Sequence, residues 1–269
     1  MVVDNYFSLE ERSRLKRLLP EGVQLVLSER NVGYAAGNNL GISHRGFPKP
    51  AYFLIVNSDV TMPHSGTVSA LHAGLVSSPR IAACSPMIYD PSAMSQLDAA
   101  CTVQVRRLPD FSTTLIVNSW FLSRVFVRVS NRYIYRDLMP FAKDSVIEVD
   151  TINGACFLVA ADVLEEFGGL DAGTFLYYEE IILGAQLRSV GMRCALVTSV
   201  AVSHLQGSSS AETAGKFVVQ RRLQAVRSEI YWCKRYLRVG WLGIGLLYLV
   251  RSVDISSKFC LRFLKIKKR

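Results

Sequence analysis

Four short stretches of this chain bring together side chains able to do chemistry. Asn57-Ser58-Asp59 ends an apolar run, Tyr52-Phe53-Leu54-Ile55-Val56. In open α/β sheets, ligands lie beyond the carboxyl ends of strands. A carboxylate there can hold a hard divalent cation, and the cation can bridge a diphosphate. Asn, Ser and Asp also form turns, so a plain turn is the competing reading. Asn31-Val32-Gly33-Tyr34-Ala35-Ala36-Gly37-Asn38-Asn39-Leu40-Gly41 sets glycines and asparagines around a helix start. Such a segment lets backbone approach a ligand and presents amide donors. It is not the GxGxxG fingerprint, and a tight strand–helix connection explains it equally well. Tyr177-Tyr178-Glu179-Glu180 puts two carboxylates at a helix start. One of them can serve as a general base, or both can simply cap the helix. His204 closes a strand, where a neutral imidazole can ligate a metal or fill a structural role. His44, His64 and His72 have no constellation behind them.

The elements that must position these residues follow from periodicity. Val2-Val3 reads as the end of a strand and Asp4-Asn5 as a turn. Leu9 to Leu19 has helical spacing, with Ser8 as N-cap and Glu11 completing a capping box. Strands are expected at 23–27, 52–56, 81–88, 157–159 and 194–204. Helices are expected over 68–76, from Asp162 to Gly168-Gly169, and over 179–190. Alternation of this kind predicts an α/β fold with a Rossmann-like, mostly parallel sheet flanked by helices. Residues 98–150 interrupt the pattern. They hold Arg106, Arg107, Arg124, Arg128, Arg132 and Arg136 among apolar residues, an excursion suited to framing a second substrate.

Charge divides the chain near residue 210. From Lys216 onward there are 14 Lys/Arg against Glu229 and Asp254, whereas the rest is mildly acidic. Val219, Leu223, Val226, Ile230, Cys233 and Leu237 make an apolar helical stripe. The run Trp241 to Val250 has ten residues, and a helix needs roughly 20 to span a bilayer. Apolar, aromatic and basic residues interleaved in this way predict a peripheral contact with an anionic membrane surface. Nucleic acid is not expected, because the basic residues accompany an apolar stripe. The expected organisation is therefore 1–210 as the α/β domain and 211–269 as a basic, amphipathic, membrane-associating helical tail. The six cysteines form no CxxC pair and suit a reducing compartment. The N-terminus lacks the apolar run of a signal peptide.

The order of the motifs is more specific than any one of them. VDN, NVGYAAGNNLGI, a strand ending in NSD, NGACFLVAADVLEEFGGLD, FLYYEE and a strand ending in His204 follow one another. Over roughly residues 2–209 this resembles the inverting family 2 glycosyltransferases of GT-A fold, especially the rhamnosyltransferase-like bacterial enzymes of polysaccharide synthesis. The resemblance implies transfer of a sugar from a nucleotide diphosphate donor, such as dTDP-rhamnose. It also implies a glycan or polyprenyl-linked glycan acceptor, a Mg2+ or Mn2+ cofactor, and work at the cytoplasmic face of the inner membrane.

The resemblance also assigns residues. Asp4 corresponds to the carboxylate that binds the donor's base, and Asn31, Gly33 and Asn39 to the loop lining the nucleoside. Asn57 and Asp59 stand for the reduced DXD-type motif, with Asp59 and His204 as metal ligands. Asn153, Gly154 and Ala155 correspond to the segment beneath the donor sugar and acceptor. Glu180 takes the catalytic position, with Glu179 before it, although the family more often has Asp there. The family places one more strand ahead of the VDN segment, and Met1 stands where that strand would already be ending. The resemblance therefore implies a sheet short of that strand, with 23–27 and 52–56 lacking a central neighbour. A catalytically impaired, glycosyltransferase-like binding module at the membrane is the alternative function.

Overall fold

The structure, a computed structural model, describes residues 1–6, 8–44, 46, 48–89, 105–139, 141–205 and 216–266. The chain opens with β1 (Val2–Asp4), α1 (Leu9–Leu18) and β2 (Leu25–Leu27). The Ser8 hydroxyl accepts from the Glu11 N–H at 3.1 Å, so the expected cap forms. Strands β1 and β2 pair in parallel as a separate two-stranded sheet. Helix α2 (Tyr34–Ser43) then leads to β3 (Tyr52–Val56), β4 (Val60–Thr61), α3 (Thr67–Val76) and β5 (Ile81–Tyr89). Helix α2 joins the two sheets. A Cβ on Gly41 would stand 2.8 Å from the Val3 side chain, and Ala35 shares the main core with Ile55 and Phe157.

The described part of the excursion forms short helices, α4 (Phe111–Val117), α5 (Leu122–Val125) and α6 (Val127–Tyr133), followed by β6 (Val146–Val149). Strand β7 (Cys156–Ala160), α7 (Ala161–Glu166), α8 (Glu179–Ser189) and β8 (Arg193–His204) complete the body. The large sheet runs β3-β7-β5-β8-β4, with β6 also on β8. It is mixed, not mostly parallel. Among the described residues of this sheet only β5–β8 pair in parallel, while β7 runs against both β3 and β5, and β8 against β4 and β6. Helix–strand alternation forecasts parallel crossovers, but the long excursion re-enters the sheet from the other end and reverses β6 and β7. Strand β3 pairs only with β7, and β1 only with β2, among the described residues.

Strands β5 and β7 are buried almost throughout, as their continuous apolar sequences require. Leu183 and Leu187 of α8 pack with Leu196 of β8 in the main core, and each such burial stabilises by about 1.5–3 kcal/mol. Cys84, Cys156, Cys194 and Cys233 are buried free thiols.

Two helices close the chain, α9 (Lys216–Arg235) and α10 (Trp241–Ile266). The expected ten-residue apolar run is only the start of α10, because no glycine or proline after Gly245 stops the helix. Trp232 and Cys233 of α9 and Ile244 and Leu247 of α10 form a core with Tyr178, Ile181 and Ile182 of the body. The polar loop read at 206–211 lies outside the described residues. Among the described residues no helix is long and apolar enough to cross a membrane.

Candidate active site

Asn57 to Val60 forms a turn between β3 and β4, closed by the Val60 N–H on the Asn57 carbonyl at 3.2 Å. The turn reading and the ligand reading are thus compatible, because the turn is what projects Asp59. Register brings His204 opposite Val60 across the β4–β8 pair. His204 Nε2 stands 3.1 Å from Asp59 Oδ1. The other ring nitrogen, Nδ1, is buried without a hydrogen-bond partner. No group of three or more His, Cys, Asp or Glu gathers in a metal-holding arrangement among the described residues. A carboxylate and an imidazole nevertheless fit a Mg2+ or Mn2+ that takes its other ligands from a diphosphate and water.

Glu180 sits in the first turn of α8 and is held from the start of β7. The Gly154 N–H donates to its Oε1 at 3.2 Å. A Cβ at position 154 would stand 2.7 Å from that oxygen, so only glycine lets the carboxylate rest there. The Gly154 carbonyl accepts from the Tyr34 hydroxyl, and the Asn57 N–H donates to the Ala155 carbonyl at 2.8 Å. Asn153 folds its side chain onto the Ala155 N–H at 2.9 Å. One short backbone segment thereby ties together the ends of β3 and α2 and the start of α8. Burial, and then Glu180 and Glu179, push the Tyr34 pKa upward, so it remains a neutral donor.

The turn that delivers α8 is strained. Tyr177 and Tyr178 both have left-handed φ, +74° and +76°. Glu179 is 7% exposed and its Oε1 has no hydrogen-bond partner. Burial and then neighbouring Glu180 raise its pKa to about 8, which makes it a neutral acid near pH 7. Glu180 is less buried and faces a cavity of about 740 Å³ together with Asn153 and His204.

The remaining predicted residues lie on β1, on α2 and in the loop before α2. Gly33 has φ +92°, and a Cβ there would lie 2.5 Å from the Phe175 carbonyl. Asn31 accepts from the Gly33 N–H at 3.0 Å. Asn5, which the sequence reading passed over, donates to the Gly33 carbonyl at 2.8 Å and accepts from the Val32 N–H. Asp4 is engaged within the chain by Arg12 at 2.5 Å and by the Tyr6 N–H at 3.0 Å. Asn39 spends both ends of its amide on the Leu170 backbone, at 2.7 and 2.9 Å. Sequence spacing gave no sign of Tyr34, Asn5 or Arg12 as partners, since each pairing joins separate elements.

Residues 119–225 match the family model described as glycosyltransferase like family 2. Two relatives, from Mycobacterium tuberculosis strains CDC 1551 / Oshkosh and ATCC 25618 / H37Rv, are 25% identical over 205 residues, 72% of this chain and 60% of theirs. Both are N-acetylglucosaminyl-diphospho-decaprenol L-rhamnosyltransferases. This chain therefore matches about three-fifths of the length of those relatives. Among solved structures, GalNAc-T7 with UDP, GalNAc and Mn2+ aligns at TM-score 0.51 and 12% identity, covering 94% of this chain and 48% of that one. A Pyrobaculum calidifontis mannosyltransferase with GDP-Man and Mn2+ aligns at TM-score 0.50 and 14% identity, covering 96% and 65%. The chain has the GT-A fold and is similar to family 2 glycosyltransferases. It is also similar to rhamnosyltransferases, at 25% identity.

Proposed function

We propose that this chain is an inverting glycosyltransferase of cell-surface polysaccharide synthesis, working at the cytoplasmic face of the inner membrane. The observation that carries this reading is Glu180, fixed by Gly154 at the wall of a cavity that His204 also lines. Glu180 takes the proton from an acceptor hydroxyl as its oxygen attacks the anomeric carbon, and the nucleoside diphosphate leaves. Glu179 is the poorer candidate, because it is buried and already protonated near neutrality. Asn31, Gly33 and Asp4 are assigned to the nucleoside, Asn57 and Asp59 to the diphosphate side, and Asn153 and Gly154 to the donor sugar. Asp59 and His204 would hold Mg2+ or Mn2+, which would neutralise charge on the leaving diphosphate. The names of the two curated relatives make a rhamnose donor and a lipid-linked diphosphate acceptor the first pair to test.

The region 211–269 is assigned to the membrane. Leu242, Leu246, Leu249 and Val253 form an exposed apolar stripe on α10, and Trp241 beside it is 81% exposed. A second reading, a membrane-bound module without transfer activity, draws on Asp4 and Asn39 being engaged internally. A screen of nucleotide sugars with lipid-linked and soluble acceptors, reading released nucleoside diphosphate, decides between them. Release that depends on acceptor and on Glu180 supports the enzyme, and no release with any pair supports the module.

A further inference from the structure

The cavity beside Glu180 holds more cations than proton abstraction requires. Arg106, Arg222 and Arg251 all line it. Arg251 is committed, since it binds Glu229 at 2.5 Å and Asp254 at 3.4 Å. Arg106 and Arg222 are half-buried, and neither pairs with a described carboxylate. Two other arginines of the excursion are engaged elsewhere. Arg107 lies over Tyr135 and bonds Asp137 at 2.6 Å, and Arg124 lies over Trp120. Arg106 comes from an isolated bridge to Thr151, and Arg222 from α9, so the fold converges two distant guanidinium groups on one space. Partly desolvated cations without a carboxylate partner among the described residues are matched best by an anion that accepts several hydrogen bonds, such as phosphate.

The surroundings narrow the ligand. Asp4, Asn31, Gly33, Asn39, Asn57 and Asp59, assigned to the nucleoside and its diphosphate, do not line this cavity, and the donor side reaches it only through Asn153 and His204 among the described residues. Its wall is partly apolar, with Ile181, Val226 and Ile255. Ile255 belongs to α10, the helix that also exposes Leu242, Leu249 and Val253. An anion beside an apolar wall on such a helix has the chemistry of a phosphate at the head of a lipid chain. We infer that Arg106 and Arg222 bind the diphosphate of a prenyl-linked acceptor and so hold its sugar hydroxyl within reach of Glu180. The inference rests on the transfer reaction proposed above and adds the acceptor's anion site.

The test is calorimetry on the intact chain in EDTA, with farnesyl diphosphate, inorganic pyrophosphate and a nucleoside diphosphate as probes. Farnesyl diphosphate should bind more tightly than pyrophosphate. Arg106→Gln and Arg222→Gln should each weaken it at least about tenfold, the usual loss for a charged hydrogen bond. Arg222→Lys should fall between the parent and Arg222→Gln, because charge remains and the bidentate fork is lost. Arg227→Gln, on an exposed position of α9, should leave binding unchanged. If a glutamine variant does not fold, the lysine variants carry the test with the same expected direction. Farnesyl diphosphate affinity that ignores both arginines overturns the inference. So does an equal loss for the nucleoside diphosphate, which would put the arginines on the donor side. Because no transfer is measured, binding that depends on both arginines in a chain without activity removes only the proposed reaction. An active chain whose binding ignores them removes only this site.

Discussion

Glu179 and Glu180 are adjacent in sequence and differ in surroundings. Glu180 reaches the cavity and accepts from Gly154, whereas Glu179 points into the protein. Glu180→Gln should therefore keep the fold and lose at least about a hundredfold in turnover, the scale of a general base. Glu179→Gln should cost far less, and its effect should show in stability. With the Glu179 pKa raised from 4.5 to about 8, the folded state holds a proton that the unfolded state releases. This contribution is complete below pH 4.5 and is lost as pH rises through about 8. Thermal melts from pH 5 to 9 should show the parent losing on the order of 10 °C relative to Glu179→Gln. Parallel curves would mean that Glu179 carries no such proton. For Asp59, calorimetry of donor binding with and without Mn2+ is the test. Asp59→Asn should bind with little difference between the two, because the cation couples this carboxylate to the diphosphate. Unaltered metal dependence in the variant would leave Asp59 as a turn residue only.

At the scale of elements, the site depends on how α8, α9, α10 and α4 are fastened together. Arg251 is the fastener. It reaches Glu229 of α9 and Asp254 of its own helix, and its guanidinium donates to the Thr114 and Leu115 carbonyls of α4. Asn118 extends the network, donating to Glu229 at 3.1 Å and to the Tyr178 hydroxyl at 2.8 Å. Tyr178 is the residue that starts α8, so this buried network touches the turn presenting Glu180. Removing one partner of a buried ion pair leaves the others charged and unmatched, at a cost of about 3–5 kcal/mol. Arg251→Ala should lower the denaturant midpoint accordingly, while Arg227→Ala, exposed on α9, should barely move it. Equal midpoints for the two variants would show that the network does not fasten the helices.

At the scale of the whole molecule, α10 has two faces. Ile244, Leu247, Arg251 and Asp254 turn inward, and Leu242, Leu246, Leu249 and Val253 turn outward. Soluble monomers rarely expose such a contiguous stripe. The outward stripe together with the basic residues of the tail should bind an anionic surface. Each apolar side chain buried contributes about 1.5–3 kcal/mol, and each nearby Lys or Arg about 1 kcal/mol. The intact chain should sediment with anionic vesicles, bind less in high salt and be released by alkaline carbonate. Leu242→Ser, Leu249→Ser and Val253→Ser combined should abolish most of this binding without disturbing the inward face. Removing the tail is the poorer test, because Trp232, Cys233 and Leu247 are buried in a shared core with the body. Vesicle binding that survives the triple substitution would mean that another surface attaches the protein.

Much of the local structure was legible in the sequence. Ser8 and Glu11 announced α1, the run 52–56 announced β3 with Asp59 just beyond it, and the Gly/Asn-rich segment from Asn31 announced the start of α2. Each of these depends on interactions within a few residues, where spacing alone sets the energy. The direction of β6 and β7 was not legible, because a buried strand carries the same apolar sequence whichever way it runs. Nor were the partners of Glu180 and Arg251. Gly154 is 26 residues from Glu180, and Leu115 is 136 residues from Arg251. Tyr34 is 120 residues from the Gly154 carbonyl it reaches. By itself the sequence determined where several of the elements begin, and its motif order resembled that of family 2 glycosyltransferases. Tertiary structure decided which ends meet, because contacts between distant residues form only when the shared core fixes the geometry of both elements.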